Sequence, residues 1–377
     1  MDNYFKPLKH ARQGNPPAPD FVPMGRSAAS DKKSELRNPA LRADALPWHV
    51  SGHAKVLKLL FALACILLCA CAPSGKGNKA GEYPITRDTY LLDTFCELTI
   101  YEGGGEDAMN AALDALSAYD ALLDYNNEDS DIYRINHRET NRVEIEPLTV
   151  RLLETSKEFR DLSGGALEPA IRPVTLLWDF KEKKQVPDEE TLAKALSEVA
   201  GDGWHVESDP VTAFVADDER VRIDVGAVAK GFIADGIKEN MQLHGVTSAI
   251  INLGGNVLCI GKKPDGSPFR IAVRDPRSES GVGETVLELE DCSAVTAGIY
   301  ERYFEQDGVT YHHILDPATG MPVQNGLLSV TVTGPSSTCC DAMCTAAFVL
   351  GKEKGEALIR RYNEDNGTDY EVYFLDR

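Results

Sequence analysis

From Trp204 onward, short apolar strands and helices follow one another without the regular strand–helix–strand beat of a parallel, doubly wound sheet. That irregularity is the tightest limit on the fold. Strand patterns fall at 204–216, 247–252, 256–260, 269–274, 284–289, 310–315 and 327–333, with helical patterns near 228–243 and 338–362. Upstream, 85–101 alternates like a strand and is closed by Gly103-Gly104-Gly105. A helix near 107–123 carries Met109, Leu113, Leu116 and Leu123 on one face. Pro147 opens a second helix, which stops at Ser163-Gly164-Gly165, and Pro187-Asp188-Glu189-Glu190 opens a third. The predicted class is α+β, with mixed sheets and flanking helices, in one unit over residues 85–377. No fixed-period repeat is visible.

Ahead of that unit the sequence changes character. Lys55-Val56-Leu57-Lys58, twelve apolar residues from Leu59 to Ala70, and then Cys71 read as a targeting signal over 55–71. The charge is in front, the apolar run is short for a bilayer span, and small residues precede its end. Leu68-Cys69-Ala70-Cys71 resembles a bacterial lipobox, so Cys71 is expected to be lipidated and to become the mature N-terminus. The chain is then expected on the bacterial cell membrane, lipid-anchored and facing outward; a short membrane anchor is the alternative. Residues 72–84 form a flexible tether. Residues 1–54, rich in Pro, charge and small polar residues, are expected to be disordered or an extension created by too early a start; a start at Val56 would give a signal of ordinary length.

Charge removes one class of function. The formal net charge is −20, and residues 1–71 hold ten Lys/Arg against five Asp/Glu, so the remainder carries 29 basic against 54 acidic residues. Such a body is a poor match for a nucleic-acid backbone, and no nucleic-acid partner is expected. Cysteine usage is equally plain. Cys96, Cys259, Cys292, Cys339, Cys340 and Cys344 show no paired C-x-x-C spacing, which gives little support to a zinc or iron–sulfur site, and no disulfide framework is expected.

The chemistry concentrates in a few segments. His313-Ile314-Leu315-Asp316-Pro317 supplies an imidazole beside a tight turn, and Asp341 and Thr345 stand at helical i,i+4 spacing. Asp224-Val225-Gly226-Ala227-Val228-Ala229-Lys230-Gly231 adds a carboxylate, small residues that let backbone approach a ligand, and a lysine in a first helical turn, where anions are welcome. A proton acceptor with two hard oxygen donors suits Mg²⁺ and a phosphorylated ligand. Taken singly, each segment has a plainer reading: a satisfied structural histidine, close helix–sheet packing, a helix stop at Gly165-Ala166-Leu167-Glu168-Pro169. Their co-occurrence favours a site. Neither G-x-G-x-x-G nor a Walker A sequence is present, so a nucleotide would be held by another device.

From about Leu91 to Gly351 the sequence resembles the ApbE-type flavin transferases, FAD:protein FMN transferases, many of them lipoproteins. The resemblance rests on Leu92-Asp93-Thr94-Phe95, Asp129 through Asn136, Gly165 through Pro169 with Leu177-Trp178-Asp179-Phe180, and Asp224 through Gly231. It continues through Asn252-Leu253-Gly254-Gly255-Asn256, Tyr300-Glu301-Arg302, His313 through Gly320, and Asp341 to Thr345. It implies an ApbE-like, T-fold-like architecture, Mg²⁺ as cofactor and FAD as substrate. It further implies metal ligation by the Ala227 carbonyl, Asp341 and Thr345, and FAD contacts at Leu92, Asn126, Ala166, Leu167, Glu168, Asp224, Lys230 and Leu315. His313 is the implied base, accepting a proton from the threonine hydroxyl of an acceptor flavoprotein that carries a Ser/Thr-Gly-Ala-Ser/Thr motif, with AMP released. That motif does not occur in this chain, so the resemblance implies that a partner is modified, with a subunit of a membrane redox complex as the expected candidate. Asn126 stands where some members have an aromatic residue, Glu168 where Asp is common and Ala297 where serine is common. Cys344 replaces a carboxylate seen in some, so a second metal ion is not expected. Two other readings stay open: an FAD pyrophosphatase that yields FMN and AMP, and a non-catalytic FAD-binding lipoprotein.

Overall fold

The computed structural model describes residues 83–209, 211–278 and 282–377. The expected extension, the leader with Cys71, and the tether up to residue 82 lie outside the described residues. The chain opens with β1 (Ile85–Leu91) and β2 (Thr94–Gly103), followed by α1 (Gly105–Leu123), α2 (Asp131–Asn136), β3 (Arg142–Glu144) and α3 (Pro147–Ser163). Next come α4 (Arg172–Trp178), α5 (Glu189–Ser197), β4 (Trp204–Glu207), β5 (Ala213–Ala216), α6 (Ala229–Leu243), β6 (Val246–Leu253) and β7 (Asn256–Ile260). The remainder is β8 (Phe269–Arg274), β9 (Val282–Leu289), β10 (Ser293–Gly298), β11 (Tyr303–Gln306), β12 (Val309–His312), β13 (Leu327–Gly334), α7 (Ser337–Leu350), α8 (Lys352–Asn366) and β14 (Glu371–Asp376).

The framework is a seven-stranded sheet in the order β1-β2-β6-β7-β10-β13-β14. The α+β class and the flanking helices are as expected, and among the described residues the strand pairs of this sheet are all antiparallel. The reason is local: hairpins such as β1–β2 and β6–β7 reverse direction at each step, and the helical excursion between β2 and β6 returns the chain antiparallel as well. Alternation in β2 buries Cys96, Leu98 and Ile100 and leaves Phe95 exposed. Helices α1, α6 and α7 cover the inner face, where Met109, Leu116, Ile233, Ile237, Met241 and Phe348 meet Leu98, Ile251, Leu258, Val330 and Val332. A smaller core joins Val174 and Trp178 of α4 to Phe304 and Leu315. A third lies on the sheet's other face, under the β8–β9 ribbon.

Several elements escaped the sequence pattern for physical reasons. The strand expected over 85–101 is a hairpin, because Leu92 and Asp93 both take positive φ, 55° and 58°, and turn the chain without the Asn-Gly signal such turns favour. The helix expected over 338–362 is two helices, broken at Gly351 (φ 77°, ψ 173°). β10 reads Ser-Ala-Val-Thr-Ala-Gly, too small and polar to announce a central strand.

What fixes the helical layer is a mutual arrangement between α6 and α7. Asp235 of α6 accepts from the Ser337 and Thr338 backbone amides, each at 2.9 Å, and from the hydroxyls of Ser336 and Thr338 at 2.8 and 2.7 Å. Two first-turn donors of α7 are thereby satisfied by another helix. In return, Asp341 of α7 accepts from the Gly231 amide in the first turn of α6 at 2.9 Å. The approach needs a glycine at 231: a Cβ there would stand 2.3 Å from the Ser337 carbonyl oxygen. Removing Asp235 orphans two amides and two hydroxyls in a part-buried joint. Asp235→Ala is therefore expected to lower the unfolding free energy by roughly 2–4 kcal/mol in urea titration. A loss below about 0.5 kcal/mol would remove this joint from the list of what holds the layer together.

Candidate active site

The segment from Asp224 to Lys230 enters α6 through a tight turn. The Asp224 amide donates to the Pro169 carbonyl at 2.7 Å, while its carboxylate accepts from Gly226 N at 3.0 Å and from the Thr175 hydroxyl at 2.8 Å, with Arg172 3.6 Å away. Gly231 N would ordinarily bond back to the Ala227 carbonyl, but it is turned to Asp341, and among the described residues no donor meets that carbonyl. The other carboxylate oxygen of Asp341 faces Lys230 Nζ at 3.9 Å. The Asn256 amide lies beside it, yet Asn256 Nδ2 completes no hydrogen bond among the described residues. Burial raises the Asp341 carboxyl above its ordinary range, against the opposing pull of Lys230 and the Gly231 N–H. Thr345, one turn on, is half-buried, and among the described residues its hydroxyl makes no hydrogen bond. One carboxylate oxygen, one hydroxyl and one carbonyl are thus left without donors at the α6–α7 joint. No group of three His, Cys, Asp or Glu side chains among the described residues could hold a metal, so the donor set here is hard oxygen, which fits Mg²⁺ better than zinc.

His313 stands across from this joint. Its Nδ1 meets the Arg302 carbonyl at 3.3 Å, and its backbone N–H donates to the same oxygen at 3.0 Å. That contact makes Nδ1 the protonated nitrogen and Nε2 the basic one. Burial, then the cations Arg302 and Lys230, push the imidazole down to about 3, so it is neutral at physiological pH. The half-buried Glu168 departs from a free flavin contact, because its carboxylate is taken by Arg160 Nε at 2.6 Å and the Ala170 amide at 2.8 Å.

The other nominated contacts belong to one connected wall. The Leu92 amide donates to Asp120 at 2.8 Å, fixing the β1–β2 turn against α1. Burial would raise the Asp93 carboxyl, but an ion pair with Lys181, the nearby Arg302 and the Tyr125 hydroxyl hold it below its ordinary value. Arg172 lies over the Tyr125 ring at 4.2 Å, next to exposed Asn126, and also reaches Asp224. Leu315 packs with Val174 and Trp178, and the Trp178 indole donates to the Gly320 carbonyl at 2.7 Å, tying the His313–Gly320 segment to α4. Arg302 bridges the halves, donating to the Asp93 carbonyl at 3.5 Å while its own carbonyl holds His313.

The ApbE family model matches residues 92–370, most of the chain. The chain belongs to the ApbE family. An FAD:protein FMN transferase of Treponema pallidum is 34% identical over 334 residues, covering 84% of this chain and 90% of that one. Among solved structures, the apbe protein of Thermotoga maritima superposes with a TM-score of 0.70 at 27% identity, covering 77% of this chain and 94% of that one. The Pseudomonas stutzeri flavinyl transferase ApbE, in its apo form, gives 0.68 at 27% identity, with coverage of 80% and 93%.

Beyond the residues nominated from the ApbE resemblance, the geometry adds several. Glu301 is lifted above the ordinary carboxyl range by burial and by Asp341, while Lys230, Arg274 and Arg302 pull it down, and it lies over Gly255, whose added Cβ would meet it at 3.6 Å. Arg302, Arg172, Asp93 and Lys181, with the neutral Asn256 and Thr175, complete the polar surroundings. Glu301, Arg302 and Asn256 sit inside motifs already noted, so the signal was there; Arg172, Thr175 and Lys181 lie in or next to a short helix that no periodicity announces.

His312, behind His313, tests the packing of this region. Its Nε2 donates to the Val323 carbonyl at 2.8 Å and its Nδ1 faces the Ile314 amide at 3.3 Å, so both nitrogens are matched only in the neutral ring. Burial pushes it down to about 4. With a folded value below the unfolded one of about 6.5, its stabilisation is complete above that pH and lost as pH falls toward about 4. The loss is expected to be on the order of 3 kcal/mol, read from urea midpoints across that window. His312→Asn should flatten the slope there; an equally steep slope in that variant would assign it elsewhere.

Proposed function

We propose that the chain is an FAD:protein FMN transferase that uses Mg²⁺ and acts on a hydroxyl of a partner flavoprotein. The single observation that carries the reading is the joint itself: three donor-free oxygens, from Ala227, Asp341 and Thr345, beside Lys230 and opposite a neutral His313. Mg²⁺ held by those oxygens would neutralise charge developing on the phosphates. The chain's own groups account for the rest. Lys230 supplies a fixed positive charge to the pyrophosphate, and the β1–β2 turn, Asn126, the 166–168 backbone, Asp224 and Leu315 hold the flavin side of FAD. His313 Nε2 takes the proton of a threonine hydroxyl as its oxygen attacks the FMN phosphorus. The P–O–P bond breaks, AMP departs, and FMN stays on the partner as a phosphoester. The Ser/Thr-Gly-Ala-Ser/Thr acceptor motif is the family's, and its absence from this chain supports modification in trans.

The test is incubation of the chain with FAD and Mg²⁺, with and without a candidate acceptor, following AMP and protein-bound flavin. Transfer is expected to require the divalent ion and to vanish in Asp341→Ala. His313→Ala is expected to bind FAD and melt as the parent does, while transfer falls by roughly two to four orders of magnitude. AMP without protein-bound flavin would make the enzyme a pyrophosphatase, and full transfer in chelator would remove the metal.

The reading extends to location: a mature chain that starts at lipidated Cys71 and faces outward from the bacterial cell membrane. The Lys55–Cys71 pattern supports it. Mass spectrometry of the membrane fraction is expected to find a diacylated N-terminal Cys71 and no peptide from residues 1–54. Cys71→Ala should leave the leader uncleaved; recovery of residues 1–54 on the mature protein would overturn the assignment.

A further inference from the structure

The six cysteines of the described residues all carry free thiols, and two of them face each other. Cys344 is accounted for, packed against the Val295 and Val330 carbonyls and accepting from the Ala297 amide, and Cys339 meets the Tyr362 hydroxyl. Cys259 and Cys292 are different. The β7–β10 ladder pairs Val257 with Ala294 and Leu258 with Ser293, and one step further it sets Cys259 opposite Cys292, with the Cys259 amide donating to the Cys292 carbonyl at 2.9 Å. Directly opposed residues of antiparallel strands point to the same face, with Cα atoms about 4.5–5.5 Å apart, inside the span a disulfide bridges. The shared face is independently visible, since both thiols pack in the small core formed with Phe269, Leu289 and Ala294 under the β8–β9 ribbon.

We propose that Cys259 and Cys292 form a latent cross-strand disulfide that closes on exposure to a disulfide oxidant. It staples β7 to β10 and locks the base of the ribbon between them. The half-buried Cys292 reacts first, as its thiolate attacks the oxidant's S–S bond, releasing one thiol and leaving a mixed disulfide. The Cys259 sulfur then attacks Cys292 Sγ and expels the second thiol. Two protein thiols lose two hydrogens and two electrons, and one oxidant disulfide becomes two thiols. Burial raises both thiols, Cys259 to about 12, so closure is slow at neutral pH and quickens as pH rises. Proximity compensates in the second step, which is intramolecular. A chain exported to an oxidising compartment would hold the bond, and the same chain kept among reducing thiols would not.

The experiment treats the full chain with oxidised glutathione at mildly alkaline pH, then alkylates under denaturing conditions and digests without reduction. The expected result is a cross-linked peptide pairing Cys259 with Cys292, together with a rise in melting temperature of several degrees over the reduced chain. Cys292→Ala should lose both, and Cys339→Ala should keep both. Three results would overturn the proposal: Cys259 and Cys292 both recovered alkylated, either one found linked to another cysteine, or a stable glutathione adduct on Cys292. The mapping on the parent chain decides the matter even if a variant folds poorly.

Discussion

Everything in the candidate site depends on the reciprocal capping of α6 and α7. A helix start leaves amides without partners, and here each helix supplies the carboxylate that satisfies the other. Asp235 does so generously, with two amides and two hydroxyls. Asp341 does so with one oxygen only, and that economy has a chemical consequence. By drawing Gly231 N away from the Ala227 carbonyl, Asp341 leaves a backbone oxygen without a donor among the described residues, and its own second oxygen faces a lysine at 3.9 Å beside the Asn256 amide. The same contact that docks the helices therefore creates the oxygen-rich pocket. Glycine at 231 is the condition for both, since any Cβ would press on Ser337 and on Asp341 itself.

Electrostatics at the joint are deliberately unbalanced. Asp341 is buried and Glu301 lies near it, and both are lifted above the ordinary carboxyl range, which means that the protein's own cations do not fully offset their desolvation. Lys230, Arg274 and Arg302 lie close, but none makes a tight ion pair with either carboxylate among the described residues; the closest approach is Lys230 to Asp341. Contrast Glu168, which has no unused oxygen: Arg160 and the Ala170 amide take both, and it serves the scaffold. A carboxylate short of partners stores an affinity for a cation, and cations short of tight partners store one for phosphate. Both kinds are present within one joint of a chain whose body is strongly acidic overall.

How far the sequence discloses this depends on the range of the interactions. The α+β class, the Pro147 helix start, the Gly164 stop and the hydrophobic face of α1 are local, and they were legible. So was the i,i+4 relation of Asp341 and Thr345. The β1–β2 turn was not, because Leu-Asp replaces the expected turn residues and long-range bonds from Asp120, Lys181 and Tyr125 take over the role of glycine. Nor was the partnership of Asp235 with α7, which joins residues about a hundred positions apart. Glu168 shows the opposite limit: it stands in a motif noted in the sequence, but its commitment to Arg160 was not legible there.

The strained turn at Leu92-Asp93 makes the final link between fold and function. Two adjacent non-glycine residues with φ of 55° and 58° cost of order 1–2 kcal/mol each relative to relaxed backbone. Glycine would remove that cost, so the side chains at both positions have to be explained by their contacts. What the leucine and aspartate add is side chain at the wall: Leu92 packs against the main core at the rim, and Asp93 gathers Lys181, Tyr125 and Arg302 into one network. Arg302 then carries the position of that turn to His313 through its carbonyl. A relaxed Asn-Gly turn would keep the hairpin and lose the network, leaving the histidine without the element that ties it to the Leu92–Asp93 turn. The strain is thus best understood as the energetic cost of holding two walls of one site in register.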